Sequence, residues 1–273
     1  MIQVRKALLK DVNFMKSVVL SGERNDPPMG VSPKTTFTRS GFLVPFSQIQ
    51  KRTHMQENEQ YALSFSGGKD SMLALDRAIR AGLPVRYLVT MFDEASQRVR
   101  FHGVPIELIQ AQANTLGIPL LRYPTRPENF EAIFLSALQD LRERGLTGII
   151  FGDIHLADVR AWYEERTVAA GLKHVEPLWG EAPGTLVREF IERGYSAVLT
   201  CIELARARPE WLGAPLTIPL VEDFERVGID PCGERGEYHT FVSAGPLFAA
   251  PIPVRLGEIV AQNSFRLVDV IAS

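Results

Sequence analysis

From residue 61 onward, apolar positions follow two alternating rhythms. Residues 61–65 form a short, nearly unbroken apolar run, the pattern of a strand buried on both faces. Met72, Leu73, Leu75 and Ile79 then recur at helical spacing until Gly82 stops the helix. Residues 85–91 predict a second strand. Pro105 predicts a helix opening at the first helical position, with Ile106, Ile109, Ala113 and Leu116 along one face before Gly117. A strand over 119–123 follows, then a helix marked by Phe130, Phe134, Leu138 and Leu141 and closed by Gly145, then a strand over 148–151. Strands alternating with helices predict an α/β fold whose parallel, doubly wound sheet is covered on both faces. Ligands of such sheets sit beyond the strands' carboxyl ends. Here those ends are Ser66 and residues 91–94, 123–126 and 152–155.

After Glu176 the helical rhythm weakens. A turn at Pro177-Leu178-Trp179-Gly180, a helix over 186–191, a strand over 197–202 and a proline-broken stretch over 204–224 are expected. Residues 251–273 alternate as a β-hairpin, with Val254, Leu256, Ile259, Val260, Phe265, Leu267, Val268 and Val270 apolar. At the other end, residues 1–59 are rich in turn residues and poor in periodicity. The expected organisation is a poorly ordered extension over 1–59, an α/β domain over 60–176 and a smaller C-terminal α+β region over 177–273. Two explanations of 1–54 stay open beside an extra capping element: a disordered extension, or a start codon assigned upstream of Met55.

Composition narrows the class. The chain of 273 residues is 45% hydrophobic and 23% charged, as in an ordinary globular protein. Its 30 Lys and Arg against 32 Asp and Glu give no general attraction to nucleic acid. Cys201 and Cys232 lie far apart and form no CxxC pair, so neither a zinc knuckle nor a paired-cysteine redox site is indicated. Such usage suits a reducing compartment. No apolar run approaches the roughly 18–20 residues that span a bilayer, and no secretory leader pattern is present. A cytoplasmic protein without a membrane partner is expected.

Between the first strand and first helix stands Ser66-Gly67-Gly68-Lys69-Asp70-Ser71. A helix N-terminus offers unpaired N–H groups and partial positive charge, which attract phosphate. Two glycines let the backbone approach an anion closely. Lys69 adds a cation, and Ser66 and Ser71 add hydroxyl donors. Asp70 is acidic where an anion is expected, which makes sense if it holds a magnesium ion bridging to the phosphates. The spacing is not that of a Walker A loop, and no Rossmann glycine fingerprint is present. A second cluster, over 228–242, packs Asp230, Glu234, Arg235, Glu237 and His239 around turn glycines ahead of a strand. Such density suits a site or a solvated loop.

SGGKDS resembles the PP-loop of ATP pyrophosphatases, which split ATP into AMP and pyrophosphate. With Gly152-Asp153-Ile154, Pro177-Leu178-Trp179 and the GERGEYHTF stretch over 233–241, the chain resembles the diphthine–ammonia ligases and their bacterial relatives over about residues 61–248. The resemblance implies a fold of the adenine nucleotide alpha hydrolase kind, with ATP and Mg²⁺ bound. ATP would adenylate a carboxylate, on a protein side chain or a small metabolite, and ammonia would displace AMP to leave an amide. It implies that Ser66, Gly67, Gly68, Lys69 and Ser71 hold the phosphates and Asp70 the metal, that Thr90 and Met91 meet adenine, and that Gly152 and Asp153 border the ribose and α-phosphate. It further implies that Glu234, His102 and Arg160 fall on the acceptor side and that Glu237 or His239 takes a proton from the attacking ammonia.

The chain departs from the family after Ile154. The ligases run into a Ser-Tyr-Gln-Arg stretch, and here only Arg160 is kept. The segment Val99-Arg100-Phe101-His102 also differs. The departures weaken diphthine as acceptor more than they weaken ATP. Two other functions stand beside the ligase: a PP-loop enzyme that modifies tRNA, and an ATP-binding module without chemistry. A homodimer is compatible with the sequence. His155, beyond Ile154, lines the cleft or is an ordinary surface histidine, and Asp93-Glu94 is a solvated loop or a second magnesium site. Trp162, Tyr163, Trp179 and Trp211 are expected in the core.

Overall fold

A computed structural model describes residues 59–273. The expectations for 1–54 lie outside the described residues. The apolar run becomes β1 (Tyr61–Ser64), and alternation decides which side each residue serves. Leu63 and Phe65 join the core beneath α1 (Lys69–Arg80) and α2 (Ile106–Leu116), with Met72, Leu75 and Ile109. Ala62 faces the other way, packing with Val89 and Ile149 against Phe134, Leu138 and Leu141 of α3 (Phe130–Glu143). Helices on both faces make the sheet doubly wound, as the alternating pattern predicts.

The first sheet pairs β1 in parallel with β2 (Val85–Asp93) on one side and β5 (Gly148–Ile150) on the other. Beyond β2 lies β4 (Leu120–Thr125), and beyond β5 lies β6 (Lys173–Val175), both parallel. The two-residue β3 (Arg98–Val99) pairs antiparallel with the tip of β2. The chain thus winds outward from β1 through β2 to β4, then returns to β5 on β1's other side. That reversal opens a crevice at the carboxyl ends of β1 and β5, where α/β sheets bind ligands. The glycine loop after β1 and Gly152-Asp153 after β5 both fall there.

After α4 (Ala157–Ala169), β6 and α5 (Pro183–Glu192), a second sheet is antiparallel, in the order β8-β7-β10-β9. Its strands are β7 (Ser196–Glu203), β8 (Tyr238–Ala244), β9 (Val254–Gln262) and β10 (Phe265–Ala272). The last two are the expected hairpin. The β8 edge docks on the glycine loop, with Val242 N–H donating to the Gly67 carbonyl at 3.0 Å.

Three local readings are corrected. β2 runs to Asp93 rather than Met91, because β4 pairs with it to that point. α2 opens at Ile106, with Pro105 just outside in extended conformation. The stretch over 204–224 holds α6 (Ile218–Val227), in which Pro219 occupies the first turn and starts the helix rather than breaking it. Trp162 and Tyr163 pack on Phe134, with ring centroids 5.4 and 5.2 Å away, and Trp211 packs on Phe224, so these three serve the core as expected.

Candidate functional site

The loop between β1 and α1 is bent by Gly67, whose φ of +78° is left-handed. A Cβ there would stand 2.4 Å from Gln112 Oε1. Gln112 is fully buried on α2, and its Nε2 donates to the carbonyls of Gly67 (3.0 Å) and Val242 (2.6 Å), clamping the bend to β8. Gly68 N–H points to Ser66 Oγ at 3.4 Å. Ser71 Oγ donates to the Gly68 carbonyl at 3.1 Å and lies 3.3 Å from Ser66 Oγ. The two hydroxyls and the first amides of α1 therefore gather at one helix N-terminus. Gly152 presses on this turn from β5: a Cβ would meet the Asp70 backbone at 3.0–3.1 Å.

Lys69 is buried and ties the two motifs together. Its amide donates to Thr240 Oγ1 at 3.0 Å. Its ammonium donates to Asp70 Oδ2 at 2.9 Å and to the Cys232 carbonyl, and sits 4.7 Å over the Tyr238 ring. Burial works against that charge, but Asp70 and the neighbouring polar groups outweigh it and keep Lys69 protonated. Tyr238 OH donates to the Pro231 carbonyl at 2.5 Å, fixing the ring beneath the cation.

An acidic group rims the loop. Glu234 Oε1 accepts Ile154 N–H at 2.9 Å. Burial, then the charge of Asp70, pushes its carboxyl up to about 8. Burial, then Glu176, pushes Asp153 up to about 7, with Asp70 adding to the rise. Burial is the larger cause in both, and the neighbouring carboxylates add repulsion even with Lys69 on Asp70. A divalent cation beside Asp70 would relieve that repulsion. Among the described residues no three His, Cys, Asp or Glu side chains come together to hold a metal alone. Magnesium takes one or two carboxylates and fills its remaining positions with water and phosphate oxygens, so one carboxylate is enough to anchor it.

The other expected site residues divide. His102 comes to the loop: its Nδ1 lies 3.1 Å from the Thr240 carbonyl, and a Cβ on Gly68 would touch its ring. His239 packs on His102 with centroids 4.7 Å apart. Burial pushes His102 down to about 4 and His239 well below the ordinary histidine range, so both are neutral at physiological pH. Thr90 spends its hydroxyl on the Phe65 carbonyl at 2.5 Å, holding β2 against the loop's entrance, and Met91 follows it in β2. Glu237 is buried and accepts from Arg206 at 3.2 Å. Arg160 pairs with Glu176 at 3.0 Å and lies 4.5 Å over Trp179; Glu176 in turn holds His174 at 2.8 Å. Asp93 caps Ser96 N–H and Glu94 pairs with Arg126. Sequence reasoning did not single out Gln112; Thr240 and Cys232 lie within the second motif, but nothing local shows that their hydroxyl and carbonyl reach Lys69, because each of the three acts across more than 40 residues.

No described helix is long and apolar enough to cross a membrane. Residues 59–174 match the family model of the diphthamide synthase N-terminal domain, and residues 182–270 match that of the diphthamide synthase C-terminal domain. Similar proteins include the diphthine–ammonia ligase of Danio rerio, 26% identical over 222 residues that cover 72% of this chain and 87% of the relative. That of Bos taurus is 25% identical over 228 residues, 74% of this chain and 85% of the relative. That of Schizosaccharomyces pombe is 26% identical over 224 residues, 73% of this chain but 36% of the relative. With both domains matched in order across most of its length, the chain belongs to the diphthine–ammonia ligase family, a family of enzymes related to diphthamide synthesis.

Proposed function

We propose that the protein is an ATP-dependent ligase that adenylates a carboxylate and converts it to an amide with ammonia. The observation that carries this reading is the junction of the two motifs: Lys69, at the head of α1, is held by Thr240 and Cys232 of the second motif. One sequence motif supplies a phosphate cradle, and the other closes over its lysine.

The chemistry suits these groups. A carboxylate resists direct amidation because its leaving group would be oxide. Attack of the carboxylate oxygen on the α-phosphorus of ATP breaks the bond to pyrophosphate and creates an acyl-AMP with a good leaving group. Ammonia then attacks the acyl carbon, AMP departs with the electron pair, and a base takes the surplus proton. The loop amides, Ser66, Ser71 and Lys69 neutralise the charge that develops on pyrophosphate. Magnesium, held by Asp70, would supply further positive charge to the phosphates. Gly152, by admitting the Asp70 turn at van der Waals distance, leaves room for the sugar and α-phosphate, and Thr90-Met91 close the adenine side.

The test is to incubate the protein with ATP, Mg²⁺ and ammonium, with and without a carboxylate, and to follow nucleotides by ion-exchange chromatography. Acid-dependent release of AMP and pyrophosphate is expected. ATP that binds without turnover under every condition would mean a binding module instead.

A further inference from the structure

A cavity of about 370 Å³ is lined by His155, Pro183, Ile229, Asp230, Pro231 and Arg235, beside Gly228. Its wall over 230–232 is the turn whose Cys232 carbonyl holds Lys69. The Cys232 thiol donates to the Pro183 carbonyl at 3.2 Å, and Asp230 Oδ1 accepts Cys232 N–H at 2.8 Å, so this wall is braced from both sides. Asp230 Oδ2 lies 3.2 Å from His155 Nε2. Nδ1 is buried and has no hydrogen-bond partner. Arg235 is exposed at the cavity and forms no ion pair among the described residues.

We propose, resting on the ligase reading above, that this cavity receives the acceptor. The acceptor class is a carboxylate on a short apolar stem: Pro183, Ile229 and Pro231 line the stem, and Arg235 draws in the carboxylate. His155, held by Asp230, walls the cavity beside the carboxylate.

The experiment compares wild type with Arg235→Ala and Arg235→Lys. The probes are sodium hexanoate and a diphthine-bearing protein, which separate a free acid from a protein side chain. Magnesium–ATP affinity is measured alongside by calorimetry. Arg235→Ala is expected to raise the KM for the stimulating acid ten- to a hundredfold, with magnesium–ATP affinity within twofold of wild type and partial recovery in Arg235→Lys. An unchanged KM in Arg235→Ala would overturn the assignment. So would magnesium–ATP binding with no stimulation by either probe, which leaves the nucleotide half of the ligase reading standing. Failure to bind magnesium–ATP would overturn both.

Discussion

The backbone amide of Lys69 and the hydroxyl of Thr240 share a 3.0 Å hydrogen bond across 171 residues of sequence. It satisfies one of the donors that a helix start leaves open, from a strand of the other sheet. Thr240→Val leaves that buried amide unpaired, and should cost about 1–3 kcal/mol of folding stability. Thr240→Ser should retain most of it. Urea unfolding of the three proteins checks this, and equal midpoints for Val and Ser would count against the bond.

Glycine substitutions separate backbone strain from site damage. Gly67→Ala combines left-handed φ with a Cβ 2.4 Å from Gln112 Oε1, so it should unfasten the bend and weaken nucleotide binding at least tenfold. Gly82 has a similar φ, +76°, with nothing within 4 Å of a Cβ. Gly82→Ala should therefore cost about 1 kcal/mol of stability and leave nucleotide affinity unchanged. Melting curves and ATP titrations of both variants make the comparison.

Removing the Lys69 ammonium takes a buried cation from the loop. By analogy with the loss of one preorganised charge donor, Lys69→Ala should slow pyrophosphate release about 10²–10³-fold. The rate is measured under saturating ATP, so that weaker binding is not mistaken for slower chemistry. A loss under fivefold would mean that Lys69 only fastens Cys232 to the loop.

The raised carboxyls make stability fall with pH. In the folded chain Asp153 and Glu234 keep their protons up to about 7 and about 8, whereas unfolded Asp and Glu release theirs near pH 4. Between those limits the folded state binds more protons than the unfolded one, so raising the pH favours unfolding. Their effect on stability is most favourable below about pH 4 and declines up to about pH 8. The melting temperature of Glu234→Gln should drop less than that of wild type between pH 5.5 and 8.5. Magnesium–nucleotide binding should also release protons near pH 7, read as a binding enthalpy that varies with the ionisation heat of the buffer. A buffer-independent enthalpy would mean that these carboxyls do not meet the cation.

What was legible in the sequence was what local chemistry dictates. The apolar run, the two glycines and the periodic Met72-Leu75-Ile79 spacing define β1, the bend and α1 without help from distant residues. The closing hairpin shows through its alternation. The three-residue β6 and two-residue β3 were not legible, because strands so short carry no period and exist only by pairing with β5 and β2. The same holds within the site. The glycine loop and the second motif are visible separately, but their junction through Thr240, Gln112 and the Cys232 carbonyl depends on how the sheets dock. Neither does spacing reveal that Glu237 turns to Arg206 while its neighbour Tyr238 lies under Lys69.

Isothermal titration of magnesium–ATP into wild type and Gly67→Ala is the most direct measurement of whether a triphosphate lies in the bend from Ser66 to Ser71. Saturable binding by wild type, weakened at least tenfold in Gly67→Ala, is the predicted result. No heat from wild type at millimolar nucleotide, or equal affinity in the two proteins, would contradict it.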